Sequence, residues 1–171
     1  MTNSRDIVFL GFLTATASAI YIVESMIMRS LPLPFLRLGL ANIVALYLVC
    51  KRNILQAYLL TITKTLLGSI ATFTLMSPSV LLSLGGGVIA VSAMSLGLLV
   101  RPSFSITGIS ILGAVSHNMA QLLLARYLII RSDSLFVLTP ILILFGLVSG
   151  IVTAYISYII LQRIPALKAD I

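Results

Sequence analysis

From Leu135 to Leu161 the chain carries no charged side chain, and five further apolar segments precede it. At 1.5 Å per residue such a run extends about 40 Å, more than the ~30 Å hydrocarbon core of a bilayer. With 60% hydrophobic and 9% charged residues among 171, little remains to clothe a water-facing surface. The chain is therefore predicted to be an all-α integral membrane protein, since a helix satisfies its backbone groups within itself in lipid. The predicted spans are 7–28, 38–50, 54–76, 80–100, 106–130 and 135–161, a six-helix bundle forming one membrane domain over 1–171. The first run is longer than a signal-peptide core, and no small-residue cleavage site leads to a polar chain after it, so it is read as a retained span.

The connections between these spans are short. Pro32 and Pro34 break the chain twice within 31–38, which reads as an ordered or re-entrant loop sharing the depth of the short second span. Lys and Arg cluster unequally at the span ends. Arg5, Lys51, Arg52, Arg101, Arg163 and Lys168 fall on one side and Arg29, Arg37 and Arg131 on the other, which predicts both termini in the cytoplasm of a bacterial-type inner membrane. The formal charge of +7 is spread singly over these ends, as the lipid bilayer requires, and forms no nucleic-acid patch. A single cysteine, Cys50, and a single histidine provide neither a disulfide nor a zinc site, and no cofactor or metal is predicted.

Polar residues inside the spans are where function is expected. In 106–130 the helical period stacks Gly113, His117 and Gln121 on one face with Asn118 at its edge. Lys64 lies about 15 Å into its span. Snorkelling, a water cavity, Glu24 or an anionic ligand could each relieve it. Glu24, Arg37, Lys64, His117, Asn118, Gln121 and Arg126 form the predicted substrate-binding set. Positive charge exceeds negative among them, favouring an amphiphilic small-molecule substrate with an anionic group. The competing reading of the polar stripe is helix-to-helix hydrogen bonding, worth about 0.6–2 kcal/mol per contact. Gly85-Gly86-Gly87 lacks the Lys-Ser/Thr of a phosphate loop and is read as a place of close helix approach or unwinding. Gly11, Ala15 and Ala19 form a small-residue ridge suited to partner docking, and Gly146 and Gly150 form a second small pair.

Three stretches, PFLRLGLANIVAL at 34–46, LLGSIATFTLMSPS at 66–79 and RPSFSITGISILGAVSHNMAQLLLA at 101–125, resemble the Gx transporter family, also described as heptaprenyl diphosphate synthase component I. That family is similar in size and layout to the substrate-binding S components of energy-coupling factor (ECF) transporters. The resemblance implies six helices, cytoplasmic termini, and a small-residue ridge on the first span that docks on a coupling subunit working with ATPases. The expected function is therefore uptake of a small amphiphilic, anionic substrate by an S-component-like transport protein with an outward-facing pocket; the alternative is a membrane accessory, non-catalytic component of heptaprenyl diphosphate synthesis for a menaquinone side chain. Self-contained prenyl elongation is excluded from the residues. It needs carboxylate clusters that hold magnesium on two diphosphates, whereas Asp6, Asp133 and Asp170 stand far apart and Glu24 is the only glutamate. No catalytic residue is predicted. His117 has no neighbouring Asp for a hydrolytic triad, and with no Walker motif any ATP-driven step must come from other chains.

Overall fold

The computed structural model describes residues 4–29, 39–100 and 104–163. The predicted proline-broken loop, with Arg37, and the polar tail after 163 lie outside the described residues. Among these residues six α-helices follow one another: α1 (Ser4–Arg29), α2 (Asn42–Cys50), α3 (Ile54–Ala71), α4 (Pro78–Leu99), α5 (Ile106–Leu124) and α6 (Thr139–Arg163). A π-helical turn, Ala125–Ile130, extends α5, and a 3₁₀ turn, Asp133–Leu138, leads into α6.

Among the described residues, five stretches are long and apolar enough to cross a membrane: Ile7–Ile27, Ile54–Ala71, Pro78–Leu99, Ile106–Ile130 and Asp133–Ile159. The second predicted span corrects to a half-helix. α2 has 9 residues, about 14 Å of rise. Its side chains compensate for that brevity by being almost wholly interior, with Ile43, Val44, Ala45, Leu46, Leu48 and Val49 all buried. The third span also shortens, because α3 stops at Ala71 and Thr72–Ser77 form the turn. The fourth begins two residues earlier than expected. Pro78 starts α4, where its missing N–H costs nothing, and the Ser77 hydroxyl accepts the Ser79 amide.

Neighbouring helices run α1, α3, α4, α5, α6, and α2 is inserted against α3, α4 and α6. The main core gathers around α2, bringing Val44, Leu46 and Leu48 together with Leu60 of α3, Val91 and Met94 of α4, and Ile109 of α5. Outward faces are apolar too, with Val8, Phe12, Leu96, Val148 and Ile151 exposed as lipid contact demands. The predicted small pair on α6 packs closely on α5. A methyl group at Gly150 would stand 2.6 Å from the Ile111 Cα and one at Gly146 would stand 2.9 Å from the Val115 Cα. This close approach lets the Ser110 hydroxyl donate to the Gly150 carbonyl at 2.7 Å.

Helix ends are closed by left-handed residues. At the end of α2 the Asn53 amide reaches the Leu48 carbonyl and the Arg52 amide reaches that of Val49, with Arg52 at φ +60°. That is the Schellman arrangement, usually made with glycine at the position Arg52 occupies. Phe73 ends α3 in the same way at φ +54°.

Candidate functional site

The polar groups converge where α2 begins. Gly39, at φ +71°, takes a backbone conformation that side chains disfavour, and so turns the chain into α2. Its amide donates to the Glu24 Oε1 of α1 at 2.6 Å. From α3 the Lys64 ammonium donates to the Ala41 carbonyl at 2.9 Å and to the Asn42 Oδ1 at 2.7 Å. Two side chains from two different spans thus fasten one four-residue segment. Both are interior, Glu24 at 5% and Lys64 at 3% exposure. Lys64 therefore does not snorkel. Its charge is met by oxygens inside the bundle, and Glu24 supplies the carboxylate beside the same cavity.

That cavity holds about 20 Å³ and is lined by Tyr21, Glu24, Asn42, Lys64, Thr65, Ser83 and His117, together with Gly39, Ala41 and Gly87. Its volume suits about one water molecule. A second small space of about 10 Å³ lies on another side of Gly39 and Asn42, lined by Met94, Ser110, Gly113, Ala114 and Thr153. Among the described residues, the start of α2 is thus flanked by two small spaces.

The glycine triplet of α4 makes this convergence possible. Gly86 admits His117 and Gln121, since a methyl group there would lie 3.0 Å from the His117 Cε1 and 2.9 Å from the Gln121 Cγ. Gly87 accommodates Thr61 and Gly85 accommodates Leu124. The triplet is a close-approach surface, and α4 stays helical through it. Gln121 is 2% exposed, and its Oε1 has no hydrogen-bond partner among the described residues.

Of the predicted set, Glu24, Lys64 and His117 share one cavity, and Gln121 packs beside His117. Asn118 goes elsewhere, its amide donating to the Leu142 carbonyl of α6 at 3.0 Å, which is helix-to-helix bonding. Arg126 pairs with Asp133 at 2.6 Å and lies 4.7 Å from the centre of the Tyr127 ring, at the far end of α5. The excess of positive charge expected around the site is reduced accordingly, because Arg126 has its own carboxylate. Gly113 faces Met94 and the smaller space. Sequence reasoning missed Asn42, Tyr21, Thr65 and Ser83. Asn42 could have been found as a polar residue opening an apolar run after a glycine, a helix-start signal. Gly11, Ala15 and Ala19 are all on the outer face of α1, and a methyl group at Gly11 would meet nothing within 4 Å.

Fold and site together define a polytopic helical membrane protein built around a half-helix whose start is held by buried charged groups. More narrowly, the chain belongs to the heptaprenyl diphosphate synthase component I family, whose model matches residues 13–160. No curated protein and no solved structure gives a match.

Proposed function

We propose that this chain is the membrane-embedded, non-catalytic component of a prenyl diphosphate synthase, paired with a separate catalytic subunit. The family match over residues 13–160 carries this reading. The acidic residues support it. With 4 Asp and Glu in all, dispersed along the chain, the carboxylates that hold magnesium on diphosphates must be supplied by the partner. The chain then contributes membrane attachment, placing a water-soluble enzyme beside the bilayer that receives its long apolar product. Purified chain added to purified catalytic subunit should change the rate or length of prenyl elongation, while the chain alone forms no product. Elongation by the catalytic subunit that is indifferent to the chain would remove the proposal.

A second reading, an uptake component resembling the S components of ECF transporters, draws on one observation. The Gly11, Ala15 and Ala19 face of α1 is exposed among the described residues, which suits a membrane-embedded coupling subunit that works with ATPases. In that reading a small amphiphilic substrate would occupy the Glu24, Lys64 and His117 cavity. As bounded by the described residues, that cavity of about 20 Å³ is smaller than such a substrate.

A further inference from the structure

At the opposite end of α2 from the polar cavity, the turn into α3 and the last turn of α4 enclose a hollow of about 220 Å³. Its lining combines Arg52, Ile54, Ser95, Leu98 and Leu99. Ser95 is 8% exposed and its hydroxyl has no hydrogen-bond partner among the described residues. Several helical hydroxyls here turn back on the carbonyl four residues earlier, as Thr14, Ser18, Thr65, Ser83 and Ser92 do. Thr61 and Ser157 share the unpartnered state of Ser95, but neither lines this hollow. Arg52 is exposed and sits at the left-handed closing position of α2, where glycine would be the easier residue.

We infer that this hollow binds the head of a phosphate-bearing amphiphile, with Arg52 and the Ser95 hydroxyl on the phosphate and Ile54, Leu98 and Leu99 along the first part of the apolar chain. A guanidinium presents several fixed donors that match phosphate oxygens and stays charged at every working pH. A buried hydroxyl with an unused donor adds a second contact, and burial makes such a contact worth forming. The hollow has room for the volume of about seven waters, enough for a head group but not for a whole lipid. Leu99, largely exposed beside it, continues the apolar wall toward the lipid. Two sources carry this chemistry, an anionic phospholipid and a prenyl diphosphate. The second rests on the proposed synthase partnership, for which the hollow would be a point of transfer between enzyme and membrane.

The test uses the full chain in phosphatidylcholine nanodiscs, titrated with farnesyl diphosphate, with farnesol, and with phosphatidylglycerol incorporated as competitor. Farnesyl diphosphate should bind at least ~10-fold more tightly than farnesol. Arg52→Gln should weaken it by ~10-fold or more and Ser95→Ala by about 3-fold, while Arg131→Gln at the other end of the bundle leaves it unchanged. Competition by phosphatidylglycerol assigns the site to both sources, and phosphatidylglycerol binding alone, sensitive to Arg52, assigns it to the lipid. Equal affinity for farnesol and its diphosphate, no binding of either phosphate ligand, or wild-type affinity in Arg52→Gln would overturn the inference. Arg52-dependent binding in a chain that attracts no synthase would instead refute the partnership and leave the site standing.

Discussion

Lys64 of α3 and Asn42 of α2 are joined at 2.7 Å, and the same ammonium holds the Ala41 carbonyl at 2.9 Å. A span-borne lysine thus fixes the start of a half-helix that its own backbone cannot anchor across the membrane. Lys64→Met leaves the buried Ala41 carbonyl and the part-buried Asn42 Oδ1 without their donor, and should destabilise the protein by on the order of 3 kcal/mol. Asn42→Leu should cost less, about 1–2 kcal/mol, because Lys64 keeps the Ala41 carbonyl. Unfolding in detergent of both variants and the double variant checks this, and the double loss should fall short of the sum. Additive losses would mean that the two residues act separately.

Glycines of α4 and α6 should differ in their tolerance of a methyl group. At Gly150 the obstacle is the Ile111 backbone at 2.6 Å, which can yield only if α5 and α6 part. At Gly86 the obstacles are the Gln121 and His117 side chains, which can shift. Gly150→Ala is expected to cost about 1–3 kcal/mol and to weaken the Ser110 bond, with Gly86→Ala milder in thermal unfolding. The reverse order would show that the polar pair is held more rigidly than the helix contact.

Much of this arrangement was legible in the residues, and the limits have physical causes. Length and apolarity identify the long spans, and Lys51-Arg52 marks the early end of the second. The half-helix is shorter than expected because it starts at Asn42, after the turn at Gly39. Burial of Glu24, Lys64, His117 and Gln121 follows from placing polar groups in apolar spans. Their partners do not, since Asn42 meets Lys64 through a contact 22 residues apart in sequence. One step along the helix separates Asn118 from His117, yet that step turns Asn118 onto α6 while His117 faces the α4 glycines. Arg126 looked like a site residue until the chain folded back through the turn after α5 and brought it to Asp133.

Ala15 and Ala19 can be enlarged without disturbing the chain's own packing, because both are exposed. Ala15→Leu with Ala19→Leu should leave thermal stability within about 0.5 kcal/mol of wild type. If α1 carries a membrane-embedded partner, the same pair of changes should abolish its copurification. Retention of that partner would free the ridge to serve lipid contact alone.

Orientation is testable at exposed turns. In a Cys50→Ser background, cysteine at Ser132 is expected to react with an impermeant thiol reagent in intact cells and cysteine at Asn53 is not. Both positions are partly or fully exposed. Labelling at Asn53 alone would reverse the orientation derived from the Lys and Arg distribution.

The synthase partnership is tested most directly by affinity purification of the chain from its native membranes in mild detergent, followed by identification of what accompanies it. A catalytic prenyl diphosphate synthase subunit in near-stoichiometric amount, whose elongation activity follows the chain into the membrane fraction, is the predicted result. Recovery of a transmembrane coupling subunit with ATPases, and no synthase, would contradict it.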